Sequence, residues 1–297
     1  MSIKATPLGH SRILSVGTYR PKRAVPNSEI VDRIESTDEW IQQRTGIESR
    51  RFAGDDETVI SMAKAACEMA LKRAKLSIED IDTVILSTIS YPFQAPSAAT
   101  ELINELGNPK AAAFDISAAC AGFCYGVAMG SDLVRSGTSK NVLVIGVEKL
   151  SDYTDPDDRA TAFIFADGAG AVVIGQSDQP RIGQTIWGSD ADSRDAITLT
   201  PSFLDFKKNP DKGVGELGWP NISQQGQVVF RWAVYSMSKV GLKALEAAGV
   251  SVDELGAFIP HQANVRIIET MAKEMKIPDS VLIADDIRTN GNTSAAS

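Results

Sequence analysis

The sequence predicts an α/β fold made of two similar halves, each a largely parallel sheet covered by helices on both faces. Short apolar runs alternate with amphipathic helical stretches, the pattern of βαβ units. A helix–turn–strand unit recurs: ALKRAKLSIEDIDTVILS from Ala70 lies over ALEAAGVSVDELGAFIPH from Ala244. A second pair of segments, FDISAAC ending at Cys120 and ADDIRTNGN ending at Asn292, repeats at nearly the same offset. Two matches at one spacing indicate an internal duplication. The seam falls near Gln176 to Ile182, which divides the chain into halves 1–178 and 179–297.

In chain order, Ile13 to Val16 reads as a first strand, and His10 before it as part of a tail. Asn27 is placed to cap a short helix running to Ile34, with Ile30, Val31 and Ile34 on one face. Thr58 to Lys75 is a helix, with apolar residues at 59, 62, 63, 66, 67, 70 and 74. Cys67 lies on that apolar face and reads as core. Strands are expected at Thr83 to Ile89, Ala111 to Ile116, Val142 to Val147, Ala169 to Ile174 and Ala257 to Ile259. Helices are expected at Ser97 to Leu106, Ala121 to Arg135 and from about Val265. The first half continues for about 55 residues beyond Cys120, the second for five beyond Asn292. By its own symmetry the second half is expected to be incomplete.

Composition narrows the function. A chain of 297 residues with 43% hydrophobic and 23% charged residues buries a large core. Its net charge of −8 argues against a nucleic-acid-binding protein as a whole. It has no apolar run of membrane-spanning length and no signal-peptide pattern at its start. Three cysteines make no disulfide framework, which points to a reducing cytosol. No metal cluster, phosphate loop or nicotinamide fingerprint is visible.

Three residues carry candidate chemistry. Cys120 falls between a strand and a helix, near the positive end of a helix dipole, a setting that favours the nucleophilic thiolate. His261 directly follows a buried strand, and catalytic groups of parallel sheets gather at strand carboxyl ends. Asn292, in a Gly-Asn turn, is the internal counterpart of Cys120. A Cys/His/Asn set suits papain-like proteolysis, whose local signature is absent here, or acyl transfer to Cys with carbon–carbon bond formation. Cys124, one turn beyond Cys120, reads as core.

DISAACAGF, IPHQANVRI and GNTSAAS resemble the three catalytic segments of the β-ketoacyl-[acyl-carrier-protein] synthase III family, condensing enzymes of thiolase-like fold. STDEWIQQRTGI and FADGAGAVV match two further segments, so the resemblance runs from Ile13 to Ser297. It implies two α/β halves with mixed, largely parallel sheets in an αβαβα layering. It implies an acyltransferase that initiates fatty-acid elongation. Cys120 would take an acyl group from an acyl-CoA primer. His261 and Asn292 would stabilise the enolate formed when malonyl-acyl-carrier protein loses CO2.

The resemblance assigns further residues. Trp40 and Arg159 match residues that sandwich the CoA adenine, Arg44 one that contacts its phosphates, and Asn264 one beside the pantetheine arm. Residue types alone would make Trp40 a core anchor and both arginines surface charges. Arg231 and Arg266 match a basic patch that docks the acidic carrier protein, a solvated helix face being the alternative. Ala95 matches an acyl-pocket position where some members carry a bulky ring, which predicts room for primers longer than acetyl. No cofactor or metal is implied beyond the two thioester substrates, and a cytoplasmic homodimer is. The family's pattern continues past the Asn segment into a glycine-rich loop that supplies an oxyanion N–H. Ser297 precedes that loop, so turnover roughly 100- to 1,000-fold lower is expected. The alternatives are a weak acyl-CoA-binding or dimer-forming remnant, and a chalcone-synthase-like polyketide enzyme using CoA-bound extenders.

Overall fold

The structure is a computed structural model and describes residues 8–297. The first half contains β1 (His10–Tyr19), β2 (Arg23–Pro26), α1 (Asp38–Thr45), β3 (Ser49–Phe52), α2 (Val59–Ala74), β4 (Thr83–Ser87), α3 (Ala98–Leu106), β5 (Ala112–Ile116), α4 (Gly122–Arg135), β6 (Asn141–Lys149) and β7 (Asp167–Ser177). The second half contains β8 (Ile197–Thr200), α5 (Phe203–Lys208), α6 (Gly213–Leu217), β9 (Asn221–Gln224), α7 (Gly226–Trp232), α8 (Ser238–Ala248), β10 (Ala257–Phe258), α9 (Val265–Glu274), β11 (Leu282–Ile283) and α10 (Ile287–Asn290).

Five strands form one mixed sheet in the order β1-β7-β6-β4-β5. β4 runs parallel to both β5 and β6, while β7 is antiparallel to β6 and β1. The carboxyl ends of β4, β5 and β6 therefore lie side by side, with Ser87 level with Ile116 and Gly146. Helices cover both faces. On one, Met62, Ala66 and Ala70 of α2 and Leu102 of α3 pack on Leu86, Ile145 and Val173. On the other, α4 packs on Ile85, Val144 and Val172. Gly126 lets α4 approach closely, since a Cβ there would come 2.7 Å from Val144 Cγ1. A third cluster joins the halves: Ile41, Ile47, Leu150 and Phe163–Phe165 pack with Ile268 of α9 and Ile287 of α10. In the second half β10 pairs with β11 in parallel over two residues.

The helix at α2 begins as expected: Thr58 accepts from Ser61 N and the Ser61 hydroxyl accepts from Thr58 N. Two expectations are corrected. His10 belongs to β1 and pairs with Ser177, because β7 extends far enough to satisfy its backbone. Asn27 does not cap a helix to Ile34; only a single 3₁₀ turn, Asn27–Glu29, forms. Its side chain is instead consumed in the core, donating to Asp38 Oδ1 (2.6 Å) and Ile47 O (2.8 Å) and accepting from the buried Arg50.

Candidate active site

Cys120 sits in a 3₁₀ turn, Ala119–Ala121, between β5 and the first residue of α4. Ala119 has φ of +44°, so the chain turns sharply just before the thiol. Gly122 allows this turn to lie on β4, where a Cβ would fall 1.7 Å from Ser87 Oγ. Cys120 Sγ and Ser294 Oγ are hydrogen-bond partners 3.6 Å apart.

The Asn292 segment is fixed as a short parallel bridge beside Phe165, with Asn292 N donating to Ile164 O and Ala166 N to Asn292 O, both 2.9 Å. Asn292 Oδ1 accepts from Ser294 N at 2.8 Å, which leaves its amide NH2 to be donated elsewhere. Buried Gln262 steadies the histidine turn, donating to Pro260 O (2.9 Å) and accepting from Ile287 N (3.2 Å). His261 Nδ1 lies 3.0 Å from Ser297 O, and a carbonyl only accepts, so Nδ1 carries the proton. Nε2 is buried with no hydrogen-bond partner, and with the proton on Nδ1 it is the ring's acceptor, coupled to the Cys120 thiol.

Their charges are linked. Burial pushes the Cys120 thiol up, but His261 and the Ser294 hydroxyl outweigh it and hold the thiol below its usual value. Burial pushes His261 down, yet Cys120 and the Ser297 carbonyl hold it above. The two shifts favour a thiolate–imidazolium pair.

About the other predicted residues the structure is plain. Trp40 of α1 has Arg44 and Arg159 over its ring, at 5.2 and 5.1 Å from the centroid, and Phe163 against its edge. Asn264 caps α9, accepting from Arg266 N (2.9 Å), and donates to Arg44 O (3.1 Å). It thereby couples the histidine turn to α1. Arg266 lies over the Phe230 ring at 5.4 Å; Arg231 is exposed on α7. Ala95 lies in an exposed stretch, 92–96. Cys124 is exposed rather than core, since α4 turns it away from the sheet while Gly122 and Gly126 face inward. Two surface clefts of about 500 and 610 Å³ lie by the far end of α4, around Arg135, and share no residue with the Cys120 site.

Two residues near Cys120 escaped the sequence reading. Ser294, within GNTSAAS, is 2% exposed and touches Cys120. Glu148, at the end of β6, is fully buried and accepts from Ser90 Oγ (2.6 Å), Ile89 N (3.0 Å) and Thr88 Oγ1 (3.1 Å). A charged residue closing the apolar run VLVIGV was the available signal.

A thiol at a helix head, coupled to an imidazole, is the arrangement that acyl-transferring enzymes with a cysteine nucleophile use. Comparison with known proteins narrows the class. Residues 114–191 match the family model 3-oxoacyl-[acyl-carrier-protein (ACP)] synthase III, and residues 245–297 match its C-terminal model. The chain is 53% identical over 293 residues to β-ketoacyl-[acyl-carrier-protein] synthase III 1 of Streptomyces coelicolor, covering 97% of this chain and 85% of that one. It is 50% identical to the corresponding protein of Kocuria rhizophila, covering 98% and 87%. Among solved structures, the priming β-ketosynthase of the R1128 polyketide pathway superposes with a TM-score of 0.96 at 41% identity, covering 100% of this chain and 87% of that one. The synthase III of Aquifex aeolicus superposes with a TM-score of 0.81 at 38% identity, covering 97% and 87%. The chain belongs to the β-ketoacyl-[acyl-carrier-protein] synthase III family, acyltransferases of thiolase-like fold.

Proposed function

We propose that the chain joins an acyl-CoA primer to malonyl-acyl-carrier protein by a decarboxylating condensation. Cys120 is the nucleophile and His261 and Asn292 are the donors. The observation that carries this reading is the coupling of Cys120 with His261, together with Ser294, which joins Cys120 (3.6 Å) to Asn292 Oδ1 (2.8 Å).

The thiolate attacks the primer carbonyl, a carbon–sulfur bond forms, and the CoA thiolate leaves. The malonyl group then loses CO2, and its electron pair passes into an enolate. His261 Nε2–H and the Asn292 amide donate to the enolate oxygen, which is where charge develops. The enolate carbon attacks the Cys120 thioester, and the thiolate returns to its pair with His261. No cofactor enters these steps. Trp40 with Arg44 and Arg159 offers the planar and cationic surface that the nucleotide of CoA needs. Arg231 and Arg266 are the docking residues for the acidic carrier protein, and Ala95 leaves room for longer primers. The chain divides into two halves, 1–178 with Cys120 and 179–297 with His261 and Asn292, and it acts as a cytoplasmic homodimer. Among the described residues no helix is long and apolar enough to cross a membrane.

The test is release of CO2 from malonyl-carrier protein in the presence of acetyl-CoA or lauroyl-CoA. Release that depends on primer and on Cys120 supports the reading. Primer-independent release, or none, contradicts it. Equal use of malonyl-CoA as extender would favour a polyketide-type enzyme.

A further inference from the structure

Acylation removes the thiolate's negative charge from a closed site and leaves the His261 imidazolium without its partner. Burial alone disfavours a lone imidazolium there. Another buried acid, Glu148, acts on the same thiol. Glu148 spends Oε2 on three donors, Thr88, Ile89 N–H and Ser90, while Oε1 is buried with no hydrogen-bond partner. Ser294, whose neighbour Ala295 packs on Gly146 of the strand that carries Glu148, has its hydroxyl 3.6 Å from Cys120 Sγ and φ of +48°, and it acts on both groups.

Resting on the reading of Cys120 as an acyl carrier, we infer that Glu148 is the charge counterweight of the site. It is protonated while Cys120 is a thiolate and ionised while Cys120 carries an acyl group, with Ser294 as the bridge. In the resting state the Glu148 O–H donates to Ser294, and Ser294 donates to the thiolate. On acylation the carboxyl proton passes through Ser294 to the departing CoA sulfur, giving CoA thiol, and Ser294 turns to donate to the carboxylate. Glu148 takes a proton from solvent when the thiolate is regenerated. The cycle thus consumes one proton, as conversion of a malonyl carboxylate and a CoA thioester into CO2 and a thiol requires. Glu148 reaches the nucleophile only through Ser294 and is a positioning residue.

The surroundings leave Glu148 free to alternate. Burial drives it up to about 7, against the pull of Ser90, Ile89 N–H, Thr88 and Ser294. Its ionised form opposes the thiolate, so the two anions exclude each other. The other charges nearby are engaged. Lys149 donates to Gly54 O at 3.0 Å; Asp167, opposite Lys149 on β7, accepts from Ala53 N and Ser151; and Asp115 of β5 accepts from Ala98 N and Ala99 N. The end of β4 presents hydroxyls only, Thr88 and Ser90.

The chain has two histidines, so the His261 ring can be followed by NMR against a single companion, His10. Cys120 is alkylated with iodoacetamide, which removes the thiolate without any CoA substrate, and the His261 titration is recorded in wild type, Glu148→Gln and Ser294→Ala. Glutamine keeps the acceptor for Thr88, Ile89 and Ser90, so the strand ends stay joined. The expected result is that alkylated wild type keeps its His261 value, whereas alkylated Glu148→Gln falls by about one unit or more, and Ser294→Ala falls in the same direction. Alkylated wild type and Glu148→Gln titrating together would overturn the inference. If Glu148→Gln does not fold, a Ser294→Ala value equal to wild type overturns it. Failure of acyl-CoA to label wild-type Cys120 would instead refute the proposed function and leave this titration to decide on Glu148.

Discussion

Gly146→Ala tests how tightly the twin junctions must meet. Gly146 lies on β6 directly against the segment that follows Asn292, where an added Cβ would sit 1.9 Å from Ala295 O and 2.5 Å from Ala295 C. Both atoms are backbone, so no rotamer change relieves the clash. Contacts below 3.0 Å do not persist, so the 292–296 segment must retreat by about 1 Å or more. That segment holds Asn292 against Phe165 and Ser294 against Cys120. A shift of about 1 Å in catalytic groups costs roughly 100-fold in rate, and overpacking of this kind costs about 1–3 kcal/mol. The control is Gly170→Ala, its partner across the β6–β7 ladder, whose Cβ would meet Ala296 O at an ordinary 3.5 Å. Single-turnover acylation and thermal melting on both variants give the answer. Gly146→Ala is expected to lose most of its rate and Gly170→Ala little. Equal, near-wild-type rates for both would refute the claim that the segment's position is set by that glycine.

Other outcomes follow from the same geometry. In His261→Ala, burial is left to act on Cys120 without the imidazole, so the thiol rises; iodoacetamide alkylation at neutral pH should slow about tenfold or more, with its inflection moved to higher pH. An unmoved inflection would show that the two groups are not coupled. Trp40→Ala should raise the KM for acyl-CoA several-fold with kcat nearly kept, as loss of a stacking surface predicts. A fall in kcat alone would place Trp40 elsewhere in the mechanism. Glu148 binds its proton more tightly folded than unfolded, about 7 against 4.5, so its contribution to stability falls as pH rises through that window. The melting temperature of Glu148→Gln relative to wild type should therefore increase from pH 5 to pH 8, and a constant difference would contradict the burial of that charge.

The sheet and its helices were legible because their signals are local. The apolar positions of α2 and the Thr58 start follow from period and capping, and the strands from short apolar runs. The strand-to-helix setting of Cys120 was legible for the same reason. What was not legible depends on partners distant in sequence. Asn27 has the composition of a helix cap, but Asp38, Ile47 and Arg50 compete for its side chain and win. His10 lies outside the apolar run, and only pairing with Ser177 makes it strand. Cys124 has the right spacing for the core, but small residues occupy the sheet-facing positions of α4 there. Glu148 and Ser294 look ordinary in sequence; their meaning comes from a carboxyl closed in behind a thiol, a juxtaposition no spacing rule contains.

The central claim is that Cys120 carries the acyl group. Incubation with an acyl-CoA, followed by peptide mapping by mass spectrometry, tests it directly against Cys67, which is buried in the α2 core, and Cys124, which is exposed. The account predicts an acyl thioester on Cys120, absent in Cys120→Ala, with Cys67 and Cys124 unlabelled. An acyl group found on Cys124, or no adduct on Cys120 in the folded protein, would contradict it.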